Sequence, residues 1–490
     1  TDETYSIVCS GDVPEGVDQN RYYLFASLFD QVYWVAGSVT GTLLGSIIPF
    51  DTTGIDFSMT ALFLVVMVDS GMMPGVSSRV DSDQATTAYW DKVNSSIEGT
   101  IYDRNGTVLC SAADRGTPGT LTYPESTSFL LGYNSLRYGQ SGLRSMYRDV
   151  LLDTDENGKG GSLNLTLDID LQNDCQSQLS GHEGAIIVMN WRTGALLAAA
   201  SSSDPNITFN ANEIDENWEL YDQGDFWYDR CWLVEDPPGS TQKILTAACA
   251  LENGQEDFEL DDTGEFAVGG ASIHNFSNGV YGRTNLQSAL QNSVNTYFAA
   301  LSLRLGQRAF METQEQFLYN VPIADLDFTE QTLTSSVSLT TQASLAMAGY
   351  GQSTLRTSPL HIALSMAGVM HDGTIVKPYL VENTTIRGKT KHQHKPETLS
   401  KDCISRANAR TLRSYLNANA IGYGFDEASC GTVYAKTGTA DDSRGSNHIY
   451  CLAATGDYVV LVSISHTHSA SSLALPITKN VLSYVHGMQS

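Results

Sequence analysis

A run of proline, glycine, serine and lysine ahead of an apolar segment constrains the fold more than any other feature of this chain. The run occupies residues 237–243, and the Ala-rich segment after it is followed by Asn253 and Gly254. Pro and Gly end the preceding segment, the apolar residues predict a helix, and Asn-Gly predicts its end. Ser240 is therefore expected at or near a helix N-terminus. Lys243 is expected one turn further on, along nearly the same face.

This spacing suits nucleophilic catalysis by Ser240. A serine hydroxyl needs a base to take its proton, and an adjacent lysine can be that base if its surroundings keep part of it neutral. Backbone N–H groups at the start of the helix can stabilise an oxyanion. For an isolated S-x-x-K sequence the alternative is structural: Ser240 caps the helix and Lys243 is solvated in its first turn. The rest of the sequence decides between these two interpretations.

Two further motifs follow in an order that favours catalysis. Ser293 and Asn295 form an S-x-N sequence ahead of a helix-like run. Lys436, Thr437 and Gly438 form the only K-T-G of the chain, followed by Thr439, at the start of a strand-like region. Each motif alone is weak, because S-x-N is common at helix starts and K-T-G-T fits an ordinary edge-strand turn. The three in this order predict the catalytic set of penicillin-recognising serine enzymes.

Hydrophobic periodicity places strands and helices around these motifs. Residues 98–109 read as strand, turn and strand, and period-two alternation from Leu163 predicts another strand before a helix-like segment from Leu171. The apolar runs at residues 184–190 and 195–200 predict a hairpin of central strands covered on both faces. Further strand-like runs occur at residues 449–455 and 458–464.

Composition excludes some classes of function. The chain is 41% hydrophobic and 17% charged, as in a folded protein, and its net charge of −27 argues against a nucleic-acid partner, since phosphate binding needs basic surface. Its eight cysteines lack metal-ligand spacing, so no metal site is predicted. Buried free thiols are favoured over a disulfide, with a Cys403–Cys430 bond left open. The aromatic residues within 206–236 fit a substrate-facing loop or a packed surface loop equally well.

The N-terminal part has a different character. Residues 32–50 carry no charge and are long enough to cross a bilayer. Gly37, Gly41 and Gly45 fall on one helical face, a small-residue pattern found where membrane helices pack closely. The alternative is a pair of buried helices in a soluble protein. We expect three segments: a helical membrane-spanning segment at residues 1–75, a short pedestal and linker at 76–162, and the catalytic domain at 163–490.

From about Gly99 onward the chain resembles a class B penicillin-binding protein, the monofunctional transpeptidase of peptidoglycan synthesis. The resemblance implies an α/β (α+β) domain like those of serine β-lactamases and transpeptidases, with a central antiparallel sheet flanked by helices and a small β-rich pedestal. Glu98, Asp229 and Ala435 depart from the residues usual in the family. The matching stretches are residues 101–106, 138–142, 165–172, 184–201, 237–243, 293–298, 351–352, 357–360 and 436–440.

The resemblance also implies roles for the motif residues. Ser240 would be the nucleophile, Lys243 its base and Ser293 a proton relay, while Asn295 would hold Lys243 and the substrate. Lys436, Thr437 and Thr439 would bind the substrate carboxylate, and Gly438 between them would also contribute to substrate binding. The N–H groups of Ser240 and Thr439 would form an oxyanion hole. No metal or organic cofactor is implied.

The expected partners and place follow from the same resemblance. The partners are peptidoglycan stem peptides, β-lactams, the membrane and other proteins of cell-wall synthesis. The protein would lie in a bacterial cell membrane with its catalytic domain outside the cytoplasm. A β-lactam sensor and a β-lactamase-like hydrolase share the three motifs and remain alternatives, although the chain shows no E-x-x-L-N-like deacylation element.

Residues 1–70 resemble part of a different family, the branched-chain amino acid permeases of the azaleucine-resistance type. The matching stretches are residues 1–5, 34–38 and 54–63. The resemblance is too short for a transport unit, so a transporter fragment is the remaining alternative for function. Our hypothesis is that two reading frames are joined here, and a continuous transcript across residues 68–85 would refute it.

Overall fold

Two large β-sheets with surrounding helices make up the described structure. The computed structural model describes residues 92–135, 137–224, 226–441, 445–467 and 473–488, all within the structural unit Trp90–Ser490. The strands are β1 Ile101–Tyr102, β2 Val108–Ser111, β3 Thr120–Leu121, β4 Asn134–Ser135, β5 Gly139–Gln140, β6 Ser162–Leu165, β7 Gly184–Asn190, β8 Leu196–Ser202, β9 Glu259–Asp262, β10 Glu265–Val268, β11 Ala271–His274, β12 Gly282–Asn285, β13 Ile375–Val376, β14 Val381–Ile386, β15 Lys389–Gln393, β16 Thr398–Ser400, β17 Val433–Asp441, β18 Asn447–Thr455 and β19 Tyr458–Thr467. The helices are α1 Pro124–Leu131, α2 Gly142–Met146, α3 Arg148–Leu151, α4 Ile169–Gln178, α5 Ile214–Asp222, α6 Lys243–Glu252, α7 Leu286–Gln291, α8 Asn295–Gln316, α9 Gln342–Ala348, α10 Pro359–Met370, α11 Arg406–Gly422, α12 Glu427–Cys430 and α13 Ala474–Gly487.

The central sheet has five antiparallel strands in the order β17-β18-β19-β7-β8. Successive side chains of β7 enter different cores: Ile187 and Met189 belong to one hydrophobic cluster, Ile186 and Val188 to the other. Because a strand alternates its side chains between the two faces of the sheet, an apolar run with helices on both faces buries every residue. The predicted fold class, a sheet flanked by helices, is confirmed.

The predicted hairpin at residues 184–200 is confirmed, with one correction. β7 and β8 pair antiparallel, and both are buried along almost their whole length. β8 is nevertheless an edge strand and not a central one. An edge strand can be as apolar as a central one when helices cover both of its faces, so hydrophobicity alone could not locate it within the sheet.

A second sheet, in the order β15-β14-β6-β1-β2-β3, combines strands from distant parts of the chain. The predicted strand-turn-strand at its centre is confirmed: β1 and β2 pair antiparallel, and the Asp103 carboxylate accepts the N–H groups of Asn105 (2.8 Å) and Thr107 (2.7 Å). The predicted alternation at β6 is confirmed as well, since its residues are alternately half-buried and buried. The turn between β1 and β2 is stabilised locally, because an Asp side chain such as that of Asp103 can hydrogen-bond the backbone two residues on.

Glu98, a departure from the family pattern, has a dedicated partner. Arg144 donates Nε to one carboxylate oxygen (2.9 Å) and Nη2 to the other (2.7 Å), and both side chains are buried. The N–H of Gly119 (2.7 Å) and the amide of Asn134 (3.1 Å) complete the shell. Burial alone would raise the pKa of Glu98, but Arg144 and these donors hold it below its usual value. The unusual carboxylate is therefore accommodated as half of a satisfied buried ion pair.

The cysteines are buried free thiols in the described part of the chain. Seven of them, including Cys403 and Cys430, are buried and unbonded to one another. Burial raises the pKa of Cys110 and Cys403 to about 12, so these thiols stay protonated and unreactive at neutral pH. The favoured prediction of free thiols is confirmed for these seven, and Cys9 lies outside the described residues.

The predicted membrane segment at residues 1–75 lies outside the described residues. Within the ranges given above, no helix combines the length and the apolarity needed to cross a bilayer. The predicted segment boundaries at residues 75 and 162 stay predictions.

Candidate active site

Ser240 lies on a 3₁₀ turn, Gly239–Gln242, that runs directly into α6. The prediction of a helix start at the serine is confirmed, with the refinement that α6 itself begins at Lys243. Gly239 has φ +54°, and a Cβ there would lie 2.5 Å from the Thr439 carbonyl oxygen. Only glycine meets both conditions without strain, so Gly239 lets the turn carrying Ser240 approach the backbone of strand β17.

A second glycine holds this turn from the other side. The N–H of Gly239 donates to the carbonyl of Gly351 (3.0 Å). Gly351 has φ +90°, and a Cβ there would lie 1.8 Å from the Gly239 oxygen. The Tyr450 hydroxyl donates to the carbonyl of Pro237 (3.1 Å). The turn is therefore fixed by backbone contacts that no larger residue at position 239 or 351 would allow.

The terminal nitrogen of Lys243 is the centre of the site. Lys243 is 0% exposed, and its Nζ lies 2.9 Å from Ser240 Oγ and 3.0 Å from Ser293 Oγ. It also lies 2.7 Å from the Ser293 carbonyl and 2.7 Å from Asn295 Oδ1. The last two groups only accept hydrogen bonds, so they take both N–H groups of a neutral amine. The remaining lone pair is then left to accept a proton from a hydroxyl, and Ser240 Oγ is one of the two within reach.

Electrostatics favours that neutral amine. Burial, and secondly the positive charge of Lys436, hold the pKa of Lys243 well below 10.5. Both effects act in the same direction, because burial and a nearby like charge each disfavour the protonated form. The lowered pKa makes the deprotonated, basic form of Lys243 available at lower pH than for a solvated lysine. The structural alternative, a solvated first-turn lysine, is wrong.

Ser293 connects the two lysines. Its Oγ lies 3.0 Å from Lys243 Nζ and 3.0 Å from Lys436 Nζ. Its backbone has φ +55°, a left-handed conformation that is uncommon outside glycine. Strain of this kind persists only where the surroundings enforce it, and it is often found at functional sites. Here it accompanies a hydroxyl within hydrogen-bond distance of two buried lysine side chains.

Strand β17 forms the third wall of the site. Lys436 is 0% exposed, and its Nζ also donates to the Thr437 carbonyl (2.9 Å). β17 is an edge strand, so one row of its backbone groups is not used by the ladder. The Thr439 carbonyl is in that row, since it faces Gly239. In an antiparallel strand the N–H and C=O of one residue point to the same side, so the Thr439 N–H faces Gly239 and its neighbour Ser240 too.

The remaining residues of the K-T-G motif lie beside the 3₁₀ turn. Gly438 is buried, and a Cβ there would come within 3.0 Å of Thr241. The Thr437 and Thr439 side chains are half-buried, and the hydroxyl of Tyr423 lies 3.4 Å from Thr437 Oγ1. All eight predicted site residues therefore lie in three adjoining parts of the chain: the 3₁₀ turn with α6, the start of α8 with the two residues before it, and β17.

A buried carboxylate that sequence reasoning missed supports the S-x-N segment. Asp262 accepts the Thr296 hydroxyl (2.5 Å), the Asn275 amide (3.0 and 2.9 Å) and the Tyr281 N–H (2.8 Å). Burial alone would raise the pKa of Asp262, but these donors hold it below its usual value. Thr296 directly follows Asn295, whose amide donates to the His274 carbonyl (2.9 Å). No local pattern connects Asp262 to a motif more than thirty residues away.

Comparison of this chain with known proteins agrees with the geometry of the site. A family model described as the penicillin binding protein transpeptidase domain matches residues 184–483, more than half of the chain. The chain belongs to the penicillin-binding protein transpeptidase family. Penicillin-binding protein 3 of Bacillus subtilis is 26% identical over 373 residues, which cover 65% of this chain and 53% of that protein. The chain thus spans about half the length of this curated relative.

Solved structures of penicillin-binding proteins show the same fold. The D,D-transpeptidase domain of a peptidoglycan glycosyltransferase from Eggerthella lenta has a TM-score of 0.73 at 27% identity, covering 81% of this chain and 99% of that one. Penicillin-binding protein A from M. tuberculosis, solved as a ceftriaxone acyl-enzyme, has a TM-score of 0.73 at 23% identity, covering 80% and 99% of the two chains.

A shorter similarity has a different origin. The branched-chain amino acid transport protein AzlC of Bacillus subtilis is 42% identical over 71 residues, which cover 14% of this chain and 28% of that protein. Both predicted resemblances, to penicillin-binding proteins and to this kind of permease, are therefore confirmed. The permease-like similarity extends over too little of either protein to show a transport activity.

Replacing Lys436 with methionine tests its predicted part in binding a substrate carboxylate. We expect acylation by a penicillin with a free carboxylate to slow by about 10- to 150-fold, the effect of losing a hydrogen bond to a charged group. The methyl ester of the same penicillin should lose less, and equal losses would argue against carboxylate binding by Lys436. The pH at which acylation rises should also move upward, because the Lys436 charge no longer lowers the pKa of Lys243. Stopped-flow acylation rates over a pH series measure both effects.

Proposed function

We propose that this protein is a peptidoglycan cross-linking D,D-transpeptidase that acts through a serine acyl-enzyme on stem peptides ending in D-Ala-D-Ala. The observation that carries the proposal is the buried amine of Lys243, which lies between Ser240 Oγ at 2.9 Å and Ser293 Oγ at 3.0 Å. The family membership and the similarity to the D,D-transpeptidase domain from Eggerthella lenta support it.

In the first half-reaction Ser240 is acylated. Its Oγ attacks the carbonyl of the penultimate D-Ala, and the proton passes to the lone pair of Lys243. The N–H groups of Ser240 and Thr439 face the developing oxyanion, where preorganised donors stabilise the tetrahedral intermediate. As the C–N bond breaks, a proton passes through Ser293 to the leaving nitrogen, and free D-Ala departs.

The second half-reaction reverses these transfers with a new amine. The amine of a neighbouring stem peptide attacks the acyl carbonyl, forming a C–N bond. Its proton passes to the site, the C–O bond to Ser240 breaks, and the serine hydroxyl is restored. The product is a cross-link, and no redox step or metal is involved in the proposed sequence.

The K-T-G wall would bind the terminal carboxylate of the substrate. Lys436 supplies a positive charge, and Thr437 and Thr439 supply hydroxyls at the open edge of β17. A cation with adjacent hydroxyl donors suits a small anion, because charge-assisted hydrogen bonds are the strong ones. Gly438 keeps this wall close to the 3₁₀ turn, since a side chain there would meet Thr241. β-Lactams, which carry a carboxylate next to a reactive amide, would bind in the same way.

The lifetime of the penicillin adduct tests this function against a β-lactamase. We expect the adduct on Ser240 to persist for hours, because the acyl-enzyme of a transpeptidase reacts with an amine and only slowly with water. In the described chain, Ser240, Lys243 and Ser293 form side-chain hydrogen bonds with lysine, serine, asparagine and backbone groups. None of these partners is a carboxylate that could activate water to hydrolyse the adduct. Intact-mass spectrometry after removal of excess penicillin gives the half-life. Decay within minutes would favour a hydrolase.

A β-lactam sensor would also hold a long-lived adduct, so cross-linking separates it from a transpeptidase. Released D-Ala and cross-linked dimers are expected when purified stem-peptide substrates are added.

We further propose that residues 1–75 contact the membrane and that the catalytic domain lies outside the cytoplasm, where peptidoglycan is assembled. Other proteins of cell-wall synthesis are proposed partners on the same ground.

A further inference from the structure

A cleft that the proposed mechanism does not use lies beside the segment leading to Ser240. Its volume is about 510 Å³, within the range of sites that hold small organic ligands. Eight of its twenty lining residues are aromatic, and we call it the aromatic cleft. Its rings include those of Tyr133, Trp218, Trp227 and Trp232. Three of the six tryptophans of the chain line this one cleft.

The aromatic rings of the cleft pack against one another. Trp218 and Trp227 lie 4.8 Å apart at 40°, and Tyr133 meets Trp218 edge-on at 6.2 Å and 89°. Tyr138 stacks on Trp218 from outside the cleft at 3.9 Å and 6°. Trp218 and Trp227 are only half-buried, so part of each indole stays open. Tyr138 covers one face of Trp218, and the packing of Trp218 against Trp227 holds the open parts of both indoles in place. A ligand can therefore use them without a large entropic cost.

Polar groups lie at the edges of this surface. The indole N–H of Trp191, outside the cleft, donates to the Gly456 carbonyl (3.0 Å). No such bond to a protein acceptor occurs for the indoles of Trp218, Trp227 and Trp232 in the part of the chain that the structure describes. The amide and carboxylate groups at the rim belong to Gln140, Asp222, Glu330 and Gln331. The cleft thus offers donors and acceptors next to flat apolar faces.

Its charge excludes one class of ligand. Among the described residues that line the cleft there is no lysine, arginine or histidine, while Asp222 and Glu330 are exposed carboxylates and Asp229 is a buried one. A phosphate- or carboxylate-rich polymer would find no counter-charge here and would be repelled. A ligand that fits is neutral or cationic, with apolar faces and hydrogen-bonding edges.

We infer that the aromatic cleft binds the N-acetylated sugar rings of a glycan strand. A pyranose ring presents C–H groups on its faces and hydroxyls at its edge, and an acetamido group adds one donor and one acceptor. The faces match the indoles, and the edge groups match the amides and carboxylates of the rim. A lone ammonium ion would instead need rings facing one point from several sides. Here the open indole surface belongs to only two half-buried residues, Trp218 and Trp227, which pack against each other at a 40° tilt.

This inference rests on the proposed function, because the proposed substrate carries its stem peptides on such a strand. Trp232 precedes Ser240 by eight residues, a stretch that spans at most about 29 Å. A strand held in the cleft would therefore keep its stems near Ser240 and raise their effective concentration. The KM for polymeric substrate should depend on the cleft, whereas acylation by a small β-lactam should not.

Titration of the full chain with the β-1,4-linked tetramer of N-acetylglucosamine tests the inference, with indole fluorescence and calorimetry as readouts. We expect saturable binding that weakens about tenfold or more in Trp227→Ala, as for removal of an aromatic anchor. Gln331→Ala, at an exposed position, should weaken it by a smaller factor without disturbing the packing. Trp191→Phe, which alters an indole outside the cleft, is the matched control and should bind as wild type does. Penicillin labelling should be unchanged in all three variants.

Three outcomes would overturn the inference. These are no saccharide binding at millimolar concentration, equal binding by wild type and Trp227→Ala, and displacement of the fluorescence signal by tetramethylammonium but not by the saccharide. The failure of the inference and of the proposed function are distinguishable. Penicillin labelling without saccharide binding refutes only the sugar site, and saccharide binding without penicillin labelling refutes only the transpeptidase.

Discussion

Replacing Ser240 with alanine should abolish covalent labelling by penicillin. The variant lacks the only atom that the proposed mechanism acylates, so the acylation rate should fall on the order of 10⁶-fold, which is below detection in a gel assay. Ser240 Oγ makes one side-chain hydrogen bond, to Lys243 at 2.9 Å. Its loss should cost about 1 kcal/mol of stability or less. Fluorescent penicillin labelling, followed by peptide mapping of the wild-type adduct, is the measurement.

The control for this experiment is Ser414→Ala. Ser414 is an exposed serine on α11, so its replacement removes a hydroxyl of the same kind away from the site. This variant should label as wild type does, and both alanine variants should melt close to the wild-type temperature. Labelling of Ser240→Ala at any other residue, or a mapped wild-type adduct outside residues 239–242, would show that the nucleophile has been assigned wrongly.

The site was predictable as a set of residues but not as a structure. The three motifs could be found because each places its reacting groups within four consecutive residues, and their order in the chain was informative. Their supports could not be found in this way. Gly351, more than a hundred residues further along the chain, packs against the backbone of the turn that carries Ser240. Asp262 accepts a hydrogen bond from Thr296, which lies beyond the next hairpin. Neither contact leaves a periodic pattern, because each depends on how distant elements pack.

The fold, like the site, was predictable from the sequence only in part. Continuous apolar runs predicted buried strands correctly, since burial on both faces requires apolar side chains throughout. The position of β8 at the edge was not predictable, because the helices above and below it, and not its neighbours in the sheet, determine its burial. Glu98 was noticed only as a departure from a family pattern. Its explanation is Arg144, whose position opposite that carboxylate results from tertiary structure.

Replacing Lys243 with alanine should slow acylation by roughly 10²- to 10⁴-fold while leaving the fold intact, because general-base catalysis typically contributes that much. The wild-type rate should rise with pH through the lowered pKa of Lys243, since the deprotonated amine is the base. This rise should be absent from the variant. A small primary amine such as methylamine should restore part of the rate. The restored rate should increase with pH as the added amine loses its proton.

Stability should respond to pH through the same group. Between the lowered pKa of Lys243 in the folded protein and the value of 10.5 for a free lysine, the unfolded chain binds the extra proton. Stability contributed by this group therefore rises with pH across that window, and the slope should be smaller in Lys243→Ala. Lys389→Ala, at an exposed lysine on β15, is the control and should leave both the rate and the slope unchanged. Near-normal acylation by Lys243→Ala would mean that another group takes the Ser240 proton, and a wild-type pH profile in that variant would mean that Lys243 is not the group that titrates.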